Sequence, residues 1–125
     1  MSALLSVERL EAGYEPGLSI VRGASIHADK GEIVVILGPN GAGKSSLIKA
    51  IAGLVPVSGG RVVLAGEDIT AVPAHLKIRK GLAFVPQTEN VFTLMSVEEN
   101  LRVAAGVFGD RQVAAHIEEM FALFP

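Results

Sequence analysis

Gly38-Pro39-Asn40-Gly41-Ala42-Gly43-Lys44-Ser45-Ser46 decides the reading of this sequence. Gly38 to Ser45 satisfies the pattern G-x-x-x-x-G-K-[ST] of a phosphate-binding loop. Glycines let the backbone turn successive N–H groups inward as an anion nest, and the helix after the loop adds the positive end of its dipole. Lys44 supplies a mobile cation for the outer phosphates and Ser45 a neutral oxygen for Mg²⁺, so the ligand the pattern predicts is a Mg²⁺-bound nucleotide polyphosphate. Before the loop, Ile33-Val34-Val35-Ile36-Leu37 is apolar on both faces, which predicts a central strand of a parallel sheet. After it, Leu47, Ile48, Ile51 and Leu54 recur at helical spacing, with Gly53 near the helix end. Strand, loop and helix in that order are the context the pattern needs. A glycine-rich turn with an incidental lysine would lack it.

Outward from the loop, the chain reads as one continuous α/β segment. Leu4 to Leu10 and Ser19 to Ala28 contain β-compatible stretches, and Asp29-Lys30-Gly31-Glu32 is a turn. Ser58-Gly59-Gly60 reads as a turn into a strand at Arg61 to Leu64, with Glu67 and Asp68 as turn residues beyond it. Pro73 opens a short helix through Lys80, and Leu82-Ala83-Phe84-Val85 reads as a further buried strand. Ser96 and Glu99 form a capping box that opens a helix through about Ala105, so Glu98 and Glu99 are helix-start acids. Val113, Ile117, Met120, Phe121 and Phe124 make one apolar stripe of a final helix, read as core.

Composition limits the rest. Half of the 125 residues are apolar and 19% are charged, which excludes disorder. The absence of cysteine excludes disulfides, and three scattered histidines (His27, His75, His116) make no zinc cluster and read as surface or structural residues. A net charge of −2 with interspersed signs gives no footprint for nucleic acid or anionic lipid. No apolar run approaches the ~20 residues of a membrane span, and the N-terminus lacks the basic flank of a signal peptide. The expected location is cytoplasmic.

The loop's inner residues, and Leu54 to Arg61 after them, resemble the Walker A region of ABC ATPases. Phe84-Val85-Pro86-Gln87 looks like the Q-loop that ends a strand in that family, and Phe92 to Leu101 resembles the segment the family places after its Q-loop. The resemblance covers the whole chain. It implies an α/β P-loop fold with an antiparallel β portion near the N-terminus, the Walker A strand, loop and helix, and the start of a helical subdomain. It implies ATP and Mg²⁺ as cofactors, bound by Gly38, Pro39, Asn40, Gly41, Ala42, Gly43, Lys44, Ser45 and Ser46. It also implies that Tyr14 stacks on adenine, that Ser45 and Gln87 contact the metal, and that Lys44 and Gln87 serve catalysis, Gln87 also sensing a transmembrane partner.

Val85 to Phe92 and Ile69 to Arg79 look most like the ATPases of branched-chain amino-acid importers. Such a subunit would pair with a second ATPase subunit and with permease subunits on the inner face of the cell membrane. It would bind no nucleic acid and meet the membrane only through the permease. The family's signature segment, Walker B acids and switch His are not found before Pro125, so residues 1–125 are expected to be the N-terminal part of one nucleotide-binding domain. Met120 to Pro125 looks like the approach to the signature segment. Such a part would bind nucleotide, with turnover needing the missing half and a dimer partner. The same motifs permit a soluble ABC ATPase working on DNA or ribosomes, marked by basic or coiled-coil insertions that this sequence does not show. Tyr14 and Val85-Pro86-Gln87 disfavour an unrelated P-loop kinase or GTPase.

Overall fold

In the computed structural model, residues 3–38, 43–107 and 110–125 are described, the side chains of residues 107, 110 and 111 excepted. The chain divides into two compact units, Met1–Ala83 and Phe84–Pro125.

In the first unit, the alternation of apolar and polar residues in Leu5–Ala12 makes strand β1, which buries Val7, Leu10 and Ala12. Strict alternation would send Leu10 to the opposite face from Val7. A bulge corrects this: Arg9 takes φ 44°, the register shifts between Val7 and Leu10, and Arg9 N–H donates to Ser25 Oγ at 2.9 Å. Across from it Gly60 adopts φ 75°, where a Cβ would lie 2.2 Å from the Arg9 carbonyl oxygen. β1 pairs antiparallel with β2 (Val21–Ala28) on one side and β3 (Val57–Leu64) on the other. β3 continues antiparallel into β4 (Glu67–Asp68), giving the order β2-β1-β3-β4. Between β3 and β4, Ala65 (φ 50°) and Gly66 (φ 82°) form the hairpin turn, both at positive φ as a type I′ turn requires. Thr70 fastens the end: its Oγ1 accepts from Val62 N–H at 2.8 Å and donates to Asp68 Oδ1 at 2.6 Å, and this hydroxyl, with Thr70 N–H on the same oxygen at 2.9 Å, holds the Asp68 carboxyl below its ordinary pKa.

Helix α1 (Lys44–Ala52) places Leu47, Ala50 and Ile51 in one core cluster with Val7, Leu10, Val21, Val62 and Ile69. Gly53 ends it at φ 88°, its N–H bonded to the Ala50 carbonyl, the left-handed stop expected of that glycine. Pro73 precedes α2 (Ala74–Lys77), which runs into a 3₁₀ turn at Ile78–Lys80, so the predicted short helix forms. The turn at Asp29 to Glu32 also forms, closed by Glu32 N–H on the Asp29 carbonyl at 3.1 Å.

Three expectations for this unit are overturned. Ile33–Leu37 makes no strand: Ile33 is 90% exposed and Leu37 86%, and Ile36 alone of the run packs against the core. A run apolar on both faces becomes a strand only when strands flank it, and the sheet of the described residues pairs β1 to β4 among themselves. Ser58-Gly59-Gly60 is not a turn but part of β3, because the bulge of β1 needs a glycine opposite it. Glu67 and Asp68 form a strand, because the reversal falls one step earlier at Ala65-Gly66.

In the second unit, Phe84 to Met95 forms no strand or helix, so the expected strand at Leu82 to Val85 is absent, and Val85 is exposed. The physical reason is the same lack of flanking strands. The capping box of α3 (Val97–Ala104) is as expected: Glu99 N–H donates to Ser96 Oγ and Ser96 N–H to Glu99 Oε1, both at 3.1 Å. The Ser96 N–H, helped by the Ser96 hydroxyl, lowers the Glu99 carboxyl pKa. The preceding loop is tied to α3 by Asn100, whose Oδ1 accepts from Phe92 N–H at 2.7 Å while Nδ2 donates to the carbonyls of Phe92 and Ser96. Helix α4 (Asp110–Leu123) buries Ile117, but Met120, Phe121 and Phe124 stand in solvent, so the stripe read as core is core only at its middle.

Candidate functional site

The site begins with a helix end. Gly43 precedes α1 in the left-handed conformation (φ 88°), and Leu47 N–H closes the first turn on the Gly43 carbonyl at 2.9 Å. The first N–H groups of any α-helix have no partner within it. Most helices cover them with a Ser, Thr, Asp or Asn side chain and place acids in the first turn. Here the N-cap makes no side-chain hydrogen bond and the first turn carries no acidic residue. The residue at the positive end of α1 is Lys44.

Lys44 Nζ turns back to donate to the carbonyl of Gly38. Ser45 is exposed and Ser46 half-buried on the same turn. Pro39, Asn40, Gly41 and Ala42 lie outside the described residues. Beside Lys44 opens a cavity of about 470 Å³, lined by Ile20, Val21, Arg22, Ala24, Ile36, Leu37, Gly43, Lys44 and Leu47. Its walls are apolar apart from the two cations, Lys44 and Arg22, and Arg22 Nε donates to the Ser19 carbonyl at 3.1 Å.

Tyr14 stands 61% exposed at the bend after β1, in a loop closed by Leu18 N–H on the Glu15 carbonyl at 3.1 Å, and is not part of the cavity lining. Gln87 belongs to the second unit, where it is exposed at a bend. Structure therefore brings together Gly38, Gly43 and Lys44, with Ser45 and Ser46 on the adjoining turn. The sequence reading missed Arg22 and Lys77. Arg22 faces the cavity only because β2 starts at Val21, and Lys77 reads as an ordinary surface cation of a short helix. His27, His75 and His116 are exposed, as expected, and His116 lies 3.6 Å from Glu119.

The donor set suits a polyphosphate: an uncapped helix end, a lysine and no competing carboxylate in the first turn. Among the described residues no group of three or more His, Cys, Asp or Glu could hold a metal by itself.

A sequence model described as ABC transporter matches residues 21–124. The chain belongs to this family. It is 40% identical over 122 residues to a probable branched-chain amino acid transport ATP-binding protein, LivF, of Archaeoglobus fulgidus, a match covering 98% of this chain and 51% of that protein. It is 34% identical over 108 residues to the lipopolysaccharide export system ATP-binding protein LptB of Escherichia coli, covering 86% and 44%. Among solved structures, the ADP conformation of an ATP-binding cassette of an ABC transporter superposes with TM-score 0.74 at 30% identity, over 93% of this chain and 46% of that one. A nucleotide-free cassette superposes with TM-score 0.72 at 33% identity, over 82% and 40%. The chain spans about half the length of the ABC relatives it matches. Among the described residues no helix is long and apolar enough to cross a membrane.

Proposed function

We propose that this ABC chain binds Mg-ATP at the N-terminus of α1 and belongs to the energy-coupling subunit of an importer for branched-chain amino acids. The observation that carries the nucleotide part is the uncapped, acid-free start of α1 with Lys44 folded over Gly38. Gly38 to Ser46 would cradle the phosphates, Lys44 would neutralise their charge, Ser45 and Gln87 would order Mg²⁺, and Tyr14 would stack on the base. Residues 1–125 form the N-terminal part of one nucleotide-binding domain on this reading. Hydrolysis then depends on segments beyond them and on a second ATPase subunit, because a γ-phosphate in transfer needs charge stabilisation from several sides.

The importer assignment is supported by the similarity to LivF, which covers 98% of the chain. The partner would be a permease at the inner face of the membrane. The apolar groove of about 480 Å³ beside α3, lined by Phe92, Met95, Val97 and Leu101 among others, supports a contact of that kind. Similarity to LptB favours a second reading, in which the same engine drives export of a lipid-linked substrate. Uptake of labelled leucine separates the two. Deleting the gene should abolish high-affinity uptake, with Lys44→Ala on a plasmid failing to restore it. Unchanged uptake in the deletion strain would remove the amino-acid reading.

A further inference from the structure

Lys77 is the buried charged residue of the described part of the chain, 1% exposed, and it sits in α2, a helix with no evident task. Its Nζ donates to the Ile51 carbonyl at 2.8 Å. Ile51 lies in the last turn of α1, where carbonyls have no partner within the helix and the dipole is negative. None of the ion pairs among the described residues includes Lys77. A second contact joins the same two helices. At Gly53, the residue that ends α1, a Cβ would meet the backbone of Ala74 at 3.2 Å, so the start of α2 is pressed against the end of α1. Lys77 also accepts, at its own carbonyl, the N–H of Leu82 at 3.1 Å, and Leu82 packs against the core. α2 is thus pinned on one side and grips α1 on the other.

The opposite end of α1 carries Lys44 and the first-turn N–H groups. We infer that Lys77 is a positioning residue for phosphate binding: by holding the Ile51 carbonyl it fixes the axis of α1, and with it the direction in which Lys44 and the first-turn N–H groups face the phosphates. A buried ammonium is costly to keep, and burial pushes the Lys77 pKa down from its ordinary value. A methionine or leucine of similar length would fill the same space without that cost. A charge kept there serves the one acceptor it reaches.

The inference rests on the nucleotide reading above, and the test separates the two. Affinities for Mg-ATP and for AMP are measured on the full-length protein by calorimetry for wild type, Lys77→Met, Lys77→Arg and Lys44→Ala. Partial unfolding lowers both affinities alike, whereas a displaced phosphate site lowers only the one that depends on the outer phosphates. Lys77→Met should cut the preference for ATP over AMP by about tenfold, the order of a lost charge-assisted hydrogen bond, and Lys77→Arg should restore most of it. A preference unchanged in Lys77→Met but lost in Lys44→Ala would overturn the positioning role and leave the site standing. A preference unchanged in both would overturn the site itself, and the role of Lys77 with it.

Discussion

At the scale of single residues, the site separates what a motif specifies from what a fold supplies. Gly43 and Lys44 stand where the pattern puts them because a left-handed residue followed by a helix start is a local matter, settled within a few residues. Tyr14 is different: its role depends on a ligand, and the chain presents it as a 61% exposed ring on a closed loop. An exposed aromatic face is what stacking on a base requires. Tyr14→Ala should therefore weaken ATP binding by about 1 to 3 kcal/mol, while Tyr14→Phe and Tyr14→Trp should bind nearly as well as wild type. Calorimetric titration of the three variants checks this, and a phenylalanine as damaging as alanine would mean the hydroxyl, not the ring, is what matters. Arg22 and Lys77 were not legible in the sequence. A cation announces nothing about its surroundings until the strand start or helix packing that directs it is known.

At the scale of elements, signals that closed on themselves were legible and signals that needed a distant partner were not. The capping box at Ser96 and Glu99 and the glycine stop at Gly53 each involve neighbours in sequence, and both form as expected. Ile33 to Leu37 and Leu82 to Val85 announce strands through their apolar runs, yet neither pairs, since a ladder needs a second strand. The glycines of β3 look like a turn in sequence because the bulge at Arg9, which requires Gly60, lies on another strand. The β3–β4 hairpin offers a test of this level. Ala65 holds φ 50° beside Gly66, a conformation that costs an alanine about 1 kcal/mol and that asparagine tolerates. Ala65→Asn should raise the urea midpoint by an amount equivalent to about 0.5 to 1 kcal/mol without changing the slope, whereas an unchanged or lower midpoint would show that the turn is unstrained.

At the scale of the whole molecule, the ABC family membership rests on a match across residues 21–124 and on structural likeness over most of the chain. The antiparallel sheet and α1 build a core around Leu10, Ile51 and Val62, and that core holds the helix end that faces the proposed phosphates. Residues 33–37 extend toward the loop with most of their apolar surface in solvent, in a chain that spans about half of its relatives. A run apolar on both faces and this exposed is a place for further strand pairing. The proposed phosphate contacts are local to Gly38 and the start of α1. The calorimetric affinity of wild type and Lys44→Ala for Mg-ATP reports whether the start of α1 and Lys44 bind its phosphates. Losing a charge-assisted contact should weaken binding by about tenfold or more in the variant, with its unfolding transition unchanged. Equal affinity in the two proteins would mean that Lys44 does not bind the phosphates.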